Sequence, residues 1–330
     1  MRILITGATG MIGTRLVPEL LKRKHKLSCI TRSLATARKT TFFDQVKWYE
    51  ADITESDDLT GFLKNQDTVI HLAVLGHLKE GTHTEQDYKK VNVTGLENIL
   101  TACRNSPVKR IIITTSTAAL GFVSGDMAGD LSAANPLTPY GQSKLAADFL
   151  VQEFVKKYSL PIISLRFTHV YGPGDTRDFL KIVRWIQKGV FPQVGLAPNY
   201  YPAVYIDDAI DAIILSLTNG KNGETYMIAD SDPHDTKEIR RLVRKKLFLP
   251  RIPYPVIPGT LSIKVLKMVE KAAAVSGKSL PVWSKSLLNL TASRTFSINK
   301  AEQDLGFKPR MSLNDGISNT VDWYFKEGLL

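Results

Sequence analysis

The first thirteen residues constrain the fold of this chain more than any other stretch. Arg2 to Thr6 is a short apolar run with β-branched side chains, which predicts a buried strand. The run breaks into three glycines, Gly7, Gly10 and Gly13, and apolar positions then recur at helical spacing. A strand, a glycine turn and a helix in this order form the context of a dinucleotide-binding fingerprint. Glycine lets the backbone approach a pyrophosphate, which the helix N-terminus then holds.

The glycine spacing, Gly-x-x-Gly-x-x-Gly, is one residue longer than the general Gly-x-Gly-x-x-Gly motif. Three glycines near an N-terminus also fit an ordinary turn, so the motif alone leaves both interpretations open. If the turn does bind a dinucleotide, its contacts are expected from Gly7, Thr9, Gly10, Met11, Ile12 and Gly13.

Further apolar runs alternate with helical stretches along the chain. Strands are predicted at residues 26–31, 46–50, 68–72, 110–115 and 160–166, and helices around 55–64 and 85–104. Strands that are apolar on both faces and alternate with helices predict a parallel sheet covered on both sides. The expected fold class is therefore α/β, with a doubly wound parallel sheet (Rossmann) that binds ligands beyond the carboxyl ends of its strands.

The length of 330 residues allows a large core and a second, smaller lobe. Residues 1–170 are expected to form the NAD(P)-binding domain. A strand and a helix around 203–217 are expected to return to its sheet, so that 203–228 belongs to it. Residues 171–202 and 229–330 then make a smaller C-terminal substrate-binding lobe.

The formal net charge is +11, but the lysines and arginines are spread along the chain with only modest clusters. Basic residues interleaved with stacking aromatics are not found in the sequence, so no specific nucleic-acid partner is expected. A basic surface that attracts an anionic cofactor, substrate or lipid explains the charge more simply.

No apolar stretch approaches the length of a membrane span, and because a strand is predicted from residue 2 onward, no signal peptide is expected. The two cysteines, Cys29 and Cys103, lie in apolar runs and resemble reduced core residues rather than a disulfide framework. A cytoplasmic location is expected, and no metal site is assigned.

Polar residues collect where the predicted strands end. An acidic residue after the second strand would bind the ribose 2′-hydroxyl of NAD, whereas Arg32 suits the 2′-phosphate of NADP. NADP is therefore the predicted cofactor and NAD stays possible, since Arg32 also fits an ordinary surface position. Asp52 is expected to accept from the adenine amino group with Ile53 against the ring, and Leu72 and Ala73 to let the backbone approach the cofactor.

A tyrosine and a lysine four residues apart follow a helix start at Thr138-Pro139. Tyr140 and Lys144 then share one helical face, and a nearby ammonium lowers the pKa of a phenol. Such a phenol can exchange a proton with an alcohol or a carbonyl near neutral pH. Ser116, just past the fifth strand, is expected to hold the substrate oxygen, and Thr114 to lie on the cofactor side.

Motifs spread over nearly the whole chain resemble those of the extended short-chain dehydrogenase/reductase family, which contains the NAD-dependent epimerase/dehydratases and the 3β-hydroxysteroid dehydrogenases. The resemblance implies that Ser116, Tyr140 and Lys144 are a catalytic triad and that Asn92 supports the cofactor side. Tyr140 and Lys144 are also expected to contact the cofactor, with Lys144 on the nicotinamide ribose. The resemblance also implies a homodimer that pairs through residues 85–104 and 140–157. The motifs are Thr6-Gly-Ala-Thr-Gly-Met-Ile-Gly13, His71-Leu-Ala73, Val91-Asn-Val-Thr-Gly95, Ser116 to Gly121, Tyr140-Gly-Gln-Ser-Lys144, Leu165-Arg166, Val170-Tyr-Gly-Pro-Gly174, Tyr205-Ile-Asp-Asp208 and Leu305-Gly-Phe-Lys-Pro309.

Two departures weaken the resemblance to nucleotide-sugar epimerases. Those enzymes usually carry asparagine where this chain has His169, and an Arg-Asp pair where residues 198–205 are aromatic and uncharged. The Pro-rich residues 247–258 and the basic, amphipathic residues 261–275 look more like the 3β-hydroxysteroid dehydrogenase and dihydroflavonol reductase branch. Such a lobe suits a bulky apolar substrate. The same residues also fit ordinary packing of the lobe, or peripheral contact with a membrane surface.

Three hypotheses follow. The first is an NADP-preferring oxidoreductase that transfers hydride between the nicotinamide and a secondary alcohol or carbonyl of a rather hydrophobic small-molecule substrate. The second is a nucleotide-sugar epimerase or dehydratase with tightly held NAD, and the third is a non-catalytic NADP-binding sensor or scaffold. Candidate substrate-facing residues, by position alone, are His77, Thr117, His169, Thr176, Tyr200 and Tyr201.

Overall fold

The structure is a computed structural model that describes residues 1–55, 59–76, 83–121, 123, 125, 130–191, 193–194, 198–250, 256–257 and 294–330. The strands are β1 (Arg2–Thr6), β2 (Lys26–Thr31), β3 (Lys47–Glu50), β4 (Thr68–His71), β5 (Arg110–Ser116), β6 (Ile162–Phe167), β7 (His169–Tyr171), β8 (Gln193–Val194), β9 (Tyr200–Tyr201), β10 (Ala203–Tyr205), β11 (Thr225–Ile228), β12 (His234–Asp235) and β13 (Val256–Ile257). The helices are α1 (Met11–Lys22), α2 (Leu34–Ala37), α3 (Leu59–Leu63), α4 (Glu85–Lys89), α5 (Gly95–Arg104), α6 (Pro139–Tyr158), α7 (Asp178–Gln187), α8 (Ile206–Leu215), α9 (Thr236–Lys246), α10 (Asn299–Leu305) and α11 (Leu313–Lys326). A π-helical turn, Lys90–Thr94, joins α4 to α5.

In the described part of the chain, seven parallel strands form the main sheet in the order β3-β2-β1-β4-β5-β6-β11. This confirms the predicted doubly wound α/β fold. Parallel strands need crossover connections that cover both faces, and β4 and β6 are accordingly buried along their whole length. The strand order reverses between β1 and β4, which is where ligands bind in sheets of this kind.

Helices α5 and α6 pack against this sheet. α6 begins at a threonine cap, where the hydroxyl of Thr138 accepts a hydrogen bond from the N–H of Gly141 and Pro139 takes the first helical position. Tyr140 therefore lies in the first turn of α6 and Lys144 in the second. The buried cluster between helices and sheet includes Leu4, Ile30, Val69, Leu96, Ile99, Leu100, Ile111, Ile113, Ala147, Val151, Phe154 and Ile162.

The chain divides into two compact units. The first contains Met1–Thr168, Ile206–Ala229 and Ser297–Pro309, and the second contains His169–Tyr205, Asp230–Phe296 and Arg310–Leu330. Ser297–Pro309 includes α10, so this stretch lies with the first unit, whereas the sequence had suggested the smaller lobe. In the first unit α10 is tied to the sheet region by hydrogen bonds from Lys221 and Tyr226 to the carboxylate of Asp304.

The strand that returns to the main sheet is not the one expected around residue 203. β10 (Ala203–Tyr205) pairs with β7 in a separate two-stranded sheet, and β11 (Thr225–Ile228) is the strand that pairs with β6. A three-residue strand carries too little pattern to identify its partner, so tertiary placement decides the pairing. The second unit also holds the pairs β9-β12 and β8-β13, and helix α9 packs against both α7 and α11.

Within the described ranges, no helix is long and apolar enough to cross a membrane. Cys29 and Cys103 are buried free thiols, and burial raises the pKa of each to about 12. Residues 251–255 and 258–293 lie outside the described residues, and with them half of the Pro-rich residues 247–258 and all of residues 261–275.

Candidate functional site: a glycine turn and a Tyr-Lys pair in the first unit

The glycine turn crosses the end of β4 so closely that side chains have no room there. Gly7 has a φ of +75°, and a Cβ at this position would lie 2.6 Å from the backbone nitrogen of Ala73. A Cβ at Gly13 would lie 2.4 Å from the carbonyl oxygen of Gly7. Real Cβ atoms do not approach backbone this closely, so the turn needs glycine at both positions for steric reasons.

Helix α1 begins at Gly10, whose N–H donates to the carbonyl of Gly7 at 3.0 Å. Gly10 brings no side chain to cap the helix, so the first amide groups of α1 lie open beside the reversal of strand order. Thr9, Met11 and Ile12 are all partly exposed around this helix start. A helix N-terminus with a bare backbone approach suits an anionic pyrophosphate, and this cradle fits a nicotinamide dinucleotide.

A hydrogen-bonded chain links the glycine turn to β4. The hydroxyl of Thr6 lies 2.9 Å from Nδ1 of His71 and accepts from the N–H of Ala73 at 3.2 Å. Burial, with a smaller contribution from the charge of Lys144, lowers the pKa of His71 to about 3, so this imidazole is neutral. Sequence reasoning had missed Thr6 and His71 as parts of the site. Their signal was a polar side chain at the end of each of two apolar strands.

The residues predicted on the adenosine side follow β2 and β3. Arg32 is exposed directly after β2, and Asp52 closes a turn by accepting from the N–H of Thr54 at 2.9 Å. Ile53 is buried against Gly95, where an added Cβ would lie 3.0 Å from the Ile53 side chain. The chain thus presents a guanidinium at the first of these strand ends and a carboxylate at the second.

Lys144 is held in place by the backbone of β5. Its ammonium donates to the carbonyl of Thr114 at 3.0 Å, and its side chain is only 7% exposed. Burial lowers the pKa of Lys144 to about 8, with the charge of Asp148 opposing this change and that of Arg166 adding to it. The hydroxyl of Thr114 donates to the carbonyl of His71 at 3.3 Å, which ties the lysine site to β4.

Tyr140 and Ser116 lie at the two element ends that flank this lysine. The half-buried ring of Tyr140 meets the ring of Tyr88 edge-on, with centroids 6.1 Å apart. Ser116 ends β5, and its oxygen accepts from the N–H of Ala118 at 3.2 Å, which leaves the hydroxyl hydrogen to be donated elsewhere. A phenol one turn from a fixed ammonium, with a serine donor at the strand end, can perform acid-base chemistry on an alcohol or a carbonyl.

Asn92 braces the segments on either side of the lysine. Its amide donates to the carbonyl of Leu75 at 3.1 Å and to the hydroxyl of Ser143 at 2.9 Å, and its oxygen accepts from the N–H of Leu75 at 2.8 Å. Ser143 in turn donates to the carbonyl of Tyr140 at 2.7 Å. Asn92 therefore joins the loop after β4 to the first turn of α6, a bridge through Ser143 that the sequence did not indicate.

The predicted substrate-facing residues do not form one group. His77 lies outside the described residues, and Thr117 is buried in a short turn after β5 in the first unit. His169 and Tyr201 lie together in the second unit, with ring centroids 5.4 Å apart. Nε2 of His169 lies 3.3 Å from the carboxylate of Asp175.

An arginine that sequence reasoning had missed lies beside this pair. The backbone N–H of Arg294 donates to the carbonyl of Tyr200, and burial lowers the pKa of its guanidinium while Tyr201 opposes that change. Burial lowers the pKa of His169, but the hydrogen bond and charge of Asp175 outweigh it, so the net shift is upward. In the second unit the half-buried Tyr201 thus has the ring of His169 on it, the charge of Arg294 near it, and the carboxylates of Asp175 and Asp178 near it as well.

A family model described as "NAD dependent epimerase/dehydratase family" matches residues 3–229. The chain belongs to this family. The resemblance to the extended short-chain dehydrogenase/reductase family is therefore confirmed. The chain is an enzyme of an NAD-dependent family.

The proteins to which the chain is similar carry names that denote different reactions. It is 28% identical to the UDP-glucose 4-epimerase of Vibrio cholerae over 98% of this chain and 95% of that protein. It is 26% identical to a 3 beta-hydroxysteroid dehydrogenase/Delta 5-->4-isomerase of Mycobacterium tuberculosis over 98% of this chain and 90% of that protein. The fold matches that of a UDP-glucuronic acid 4-epimerase from Bacillus cereus solved with UDP-glucuronic acid and NAD, with 24% identity, a TM-score of 0.77, and coverage of 99% of this chain and 100% of that chain.

Proposed function

We propose that this chain is a nucleotide-sugar epimerase or dehydratase that oxidises and re-reduces a secondary hydroxyl of its substrate. The observation that carries this proposal is the Tyr140-Lys144 pair, in which Lys144 is fixed on the carbonyl of Thr114. The same unit holds the glycine turn, where Gly7 and Gly13 leave no space for a side chain. When bound, the nicotinamide supplies an acceptor and donor of hydride. The residues of the chain supply the proton transfers.

In this proposal Tyr140 removes the proton of the sugar hydroxyl at its phenolic oxygen and returns a proton in the reverse step. Lys144 stabilises the phenolate through its ammonium charge. Ser116 donates a hydrogen bond to the reacting oxygen, since its own oxygen already accepts from Ala118. Neither Asn92 nor Thr6 takes part in proton transfer, and both hold the backbone of the site in place.

The nucleotide-sugar substrate is placed first for two reasons. UDP-sugar enzymes are among the relatives that match nearly the whole chain. Taken by itself, the second unit also holds the guanidinium of Arg294 near Tyr201, and a guanidinium suits a diphosphate or another anionic group. The sequence had favoured a hydrophobic substrate. That reaction, hydride exchange with an apolar alcohol or ketone, is the second candidate, and the similarity to the 3 beta-hydroxysteroid dehydrogenase favours it.

We also propose that NADP is preferred over NAD. Arg32 is exposed directly after β2, where NAD-selective sites offer an acidic side chain to the ribose. A guanidinium at that place can form two hydrogen bonds with a 2′-phosphate.

A homodimer through α5 and α6 is part of the same proposal. Phe149 on α6 is 51% exposed, which is unusual for an aromatic side chain on an otherwise well packed helix. Burial against a second copy would remove this ring from water. Light scattering of the purified protein checks the mass, and the variant Phe149→Glu is expected to be monomeric.

One experiment separates the two candidate substrates. The purified protein is denatured, and the released nucleotide is identified by mass spectrometry. The folded protein is then incubated with UDP-glucose and with a hydroxysteroid, each with added NAD and NADP, and the products are followed by NMR. The nucleotide-sugar proposal expects an epimerised or dehydrated sugar without net reduction of added cofactor, and none from Tyr140→Phe. Steroid oxidation with stoichiometric cofactor reduction, and no change in the sugar, would overturn it.

A further inference from the structure

A buried ion pair lies one turn beyond Lys144. The guanidinium of Arg166, from β6, lies 2.9 Å from the carboxylate of Asp148 on α6, and the two side chains are 1% and 7% exposed. Asp148 follows Lys144 by four residues, so both project from the same face of α6. Lys144 and Asp148 also line one small cavity together with Thr115.

The charges around this pair come from several elements. The hydroxyl of Thr115 on β5 contacts the carboxylate of Asp148, and His71 on β4 is neutral. On the other side is a cavity of about 440 Å³, lined by Asp130 and by Glu224 and Lys300, which pair with each other. Among the described side chains nearest to Lys144, one carboxylate therefore faces two cations, Lys144 and Arg166.

We propose that the Arg166-Asp148 pair is a positioning and charge-balancing device for Lys144, an inference that rests on the proposed function of that lysine. Asp148 balances the second cation in the buried group and so keeps the ammonium of Lys144 protonated at neutral pH. Arg166 ties Asp148 to β6 through the ion pair, and Asp148 lines the same small cavity as Thr115, the residue after Thr114, whose carbonyl receives Lys144.

Stability alone does not account for such a pair. Replacing a buried ion pair by apolar side chains of similar volume is often neutral or stabilising, because two charges must be removed from water. Burial does raise the pKa of Asp148, although the charge of Arg166 opposes that change. A role next to the proposed proton-transfer group explains why charged residues occupy these positions.

The direct test measures the protonation of Lys144 in the protein without cofactor or substrate. The lysine side chains are isotopically labelled and titrated by NMR, and Lys144 is assigned by the signal lost in Lys144→Met. In the native chain Lys144 is expected to titrate near pH 8. Asp148→Asn is expected to lower that midpoint by about one pH unit or more, and Arg166→Gln to raise it by a similar amount. Shifts in the same direction, or none in either variant, would overturn charge balancing.

The double variant Asp148→Asn/Arg166→Gln guards against misfolding, because it leaves no unpaired buried charge. Its Lys144 midpoint is expected to stay within about half a pH unit of the native value, since the removed pair has no net charge. The turnover rate is expected to fall about tenfold with little change in KM, because the tie from α6 to β6 is lost. Native turnover in this variant would overturn the positioning role.

The matched control is Asp304→Asn, which breaks the ion pair with Lys221 in the same unit at 2.8 Å. Neither the Lys144 midpoint nor turnover is expected to change. The NMR titration needs no reaction, so its result stands even if the proposed nucleotide-sugar activity is not found.

Discussion

The ammonium of Lys144 donates a hydrogen bond to the carbonyl of Thr114 at 3.0 Å, which joins the second turn of α6 to the carboxyl end of β5. The lysine is therefore held in position before any ligand arrives. Tyr140 lies in the first turn of the same helix, four residues before this lysine, so the two side chains project from one helical face. This arrangement makes the acid-base pair a property of the fold rather than of a mobile loop.

Replacing the tyrosine removes the proposed acid-base group without disturbing the cofactor cradle. Tyr140→Phe is expected to lower the rate of the chemical step by about 10²- to 10⁴-fold, because only the phenolic oxygen is lost. Cofactor affinity, measured by fluorescence titration, is expected to change by less than about twofold. The control is Tyr158→Phe, at the far end of the same helix. Full activity in Tyr140→Phe would contradict the assigned role.

The close approach of backbone at Gly7 predicts that alanine lowers the free energy of unfolding more at this position than at another glycine with positive φ. Gly7→Ala and Gly306→Ala both place a side chain at positive φ, +75° and +72°, but only the Cβ at position 7 meets neighbouring backbone. Gly306→Ala is expected to lower the free energy of unfolding by about 1 kcal/mol through strain alone. Gly7→Ala is expected to lower it by about 2 kcal/mol more.

Denaturant unfolding measures both values, and cofactor titration of the folded variants tests the site itself. Only Gly7→Ala is expected to lose cofactor affinity, since the turn must move away from β4. Equal losses of stability in the two variants would contradict the predicted clash between a Cβ at position 7 and the backbone of Ala73.

The proposed cofactor preference depends on one guanidinium. Arg32→Ala is expected to weaken NADP binding about tenfold or more, the value of one lost charge-assisted contact, and to leave NAD binding nearly unchanged. Arg23→Ala, an exposed arginine at the end of α1, serves as the control and is expected to alter neither affinity. If Arg32→Ala weakens both cofactors equally, the side chain does not contact a 2′-phosphate.

Two histidines predict opposite dependences of stability on pH. Asp175 raises the pKa of His169 by more than burial lowers it. His169 therefore contributes fully to the free energy of unfolding below the pKa of an unfolded histidine, near 6.5. That contribution is lost as the pH rises through the pKa of His169 in the folded chain. The pKa of His25 is lowered, chiefly by burial, so its effect has the opposite sign. Unfolding free energies are compared between pH 5 and 9, roughly the range that brackets both groups.

In that comparison, the stability of the native chain relative to His169→Asn is expected to fall as pH rises. Relative to His25→Asn it is expected to rise. Parallel trends for the two variants would mean that the Asp175 contact does not favour the protonated imidazole.

Much of the fold could be predicted because its strands are long apolar runs between turn signals. β1, β2 and β5 start at the predicted residues, since most side chains in them are buried in a two-sided sheet. The returning strand could not be predicted. β11 has four residues and follows a turn that resembles any surface loop, so only its pairing with β6 identifies it.

The site divides in the same way. Gly7, Ser116 and Lys144 could be found because their chemistry is local, in a turn, a strand end and a helix face. The bridges from Thr6 to His71 and from Asn92 to Ser143 join residues far apart in the sequence, and ordinary polar side chains make them. Arg294 carried no motif of its own, and its role depends entirely on where the second unit places it.

The π-helical turn at Lys90–Thr94 has a consequence for the evolution of such chains. It adds one residue to an otherwise continuous helix between Tyr88, which meets Tyr140, and the segment packed on the sheet. Because a π turn absorbs one extra residue within a helix, deleting a single residue here would restore regular α-helical winding and leave Tyr88 facing its partner. A one-residue deletion in the regular helix Gly95–Arg104 would instead turn the residues on its two sides by about 100° relative to each other, so a change of length is expected at the π turn rather than in the helix after it.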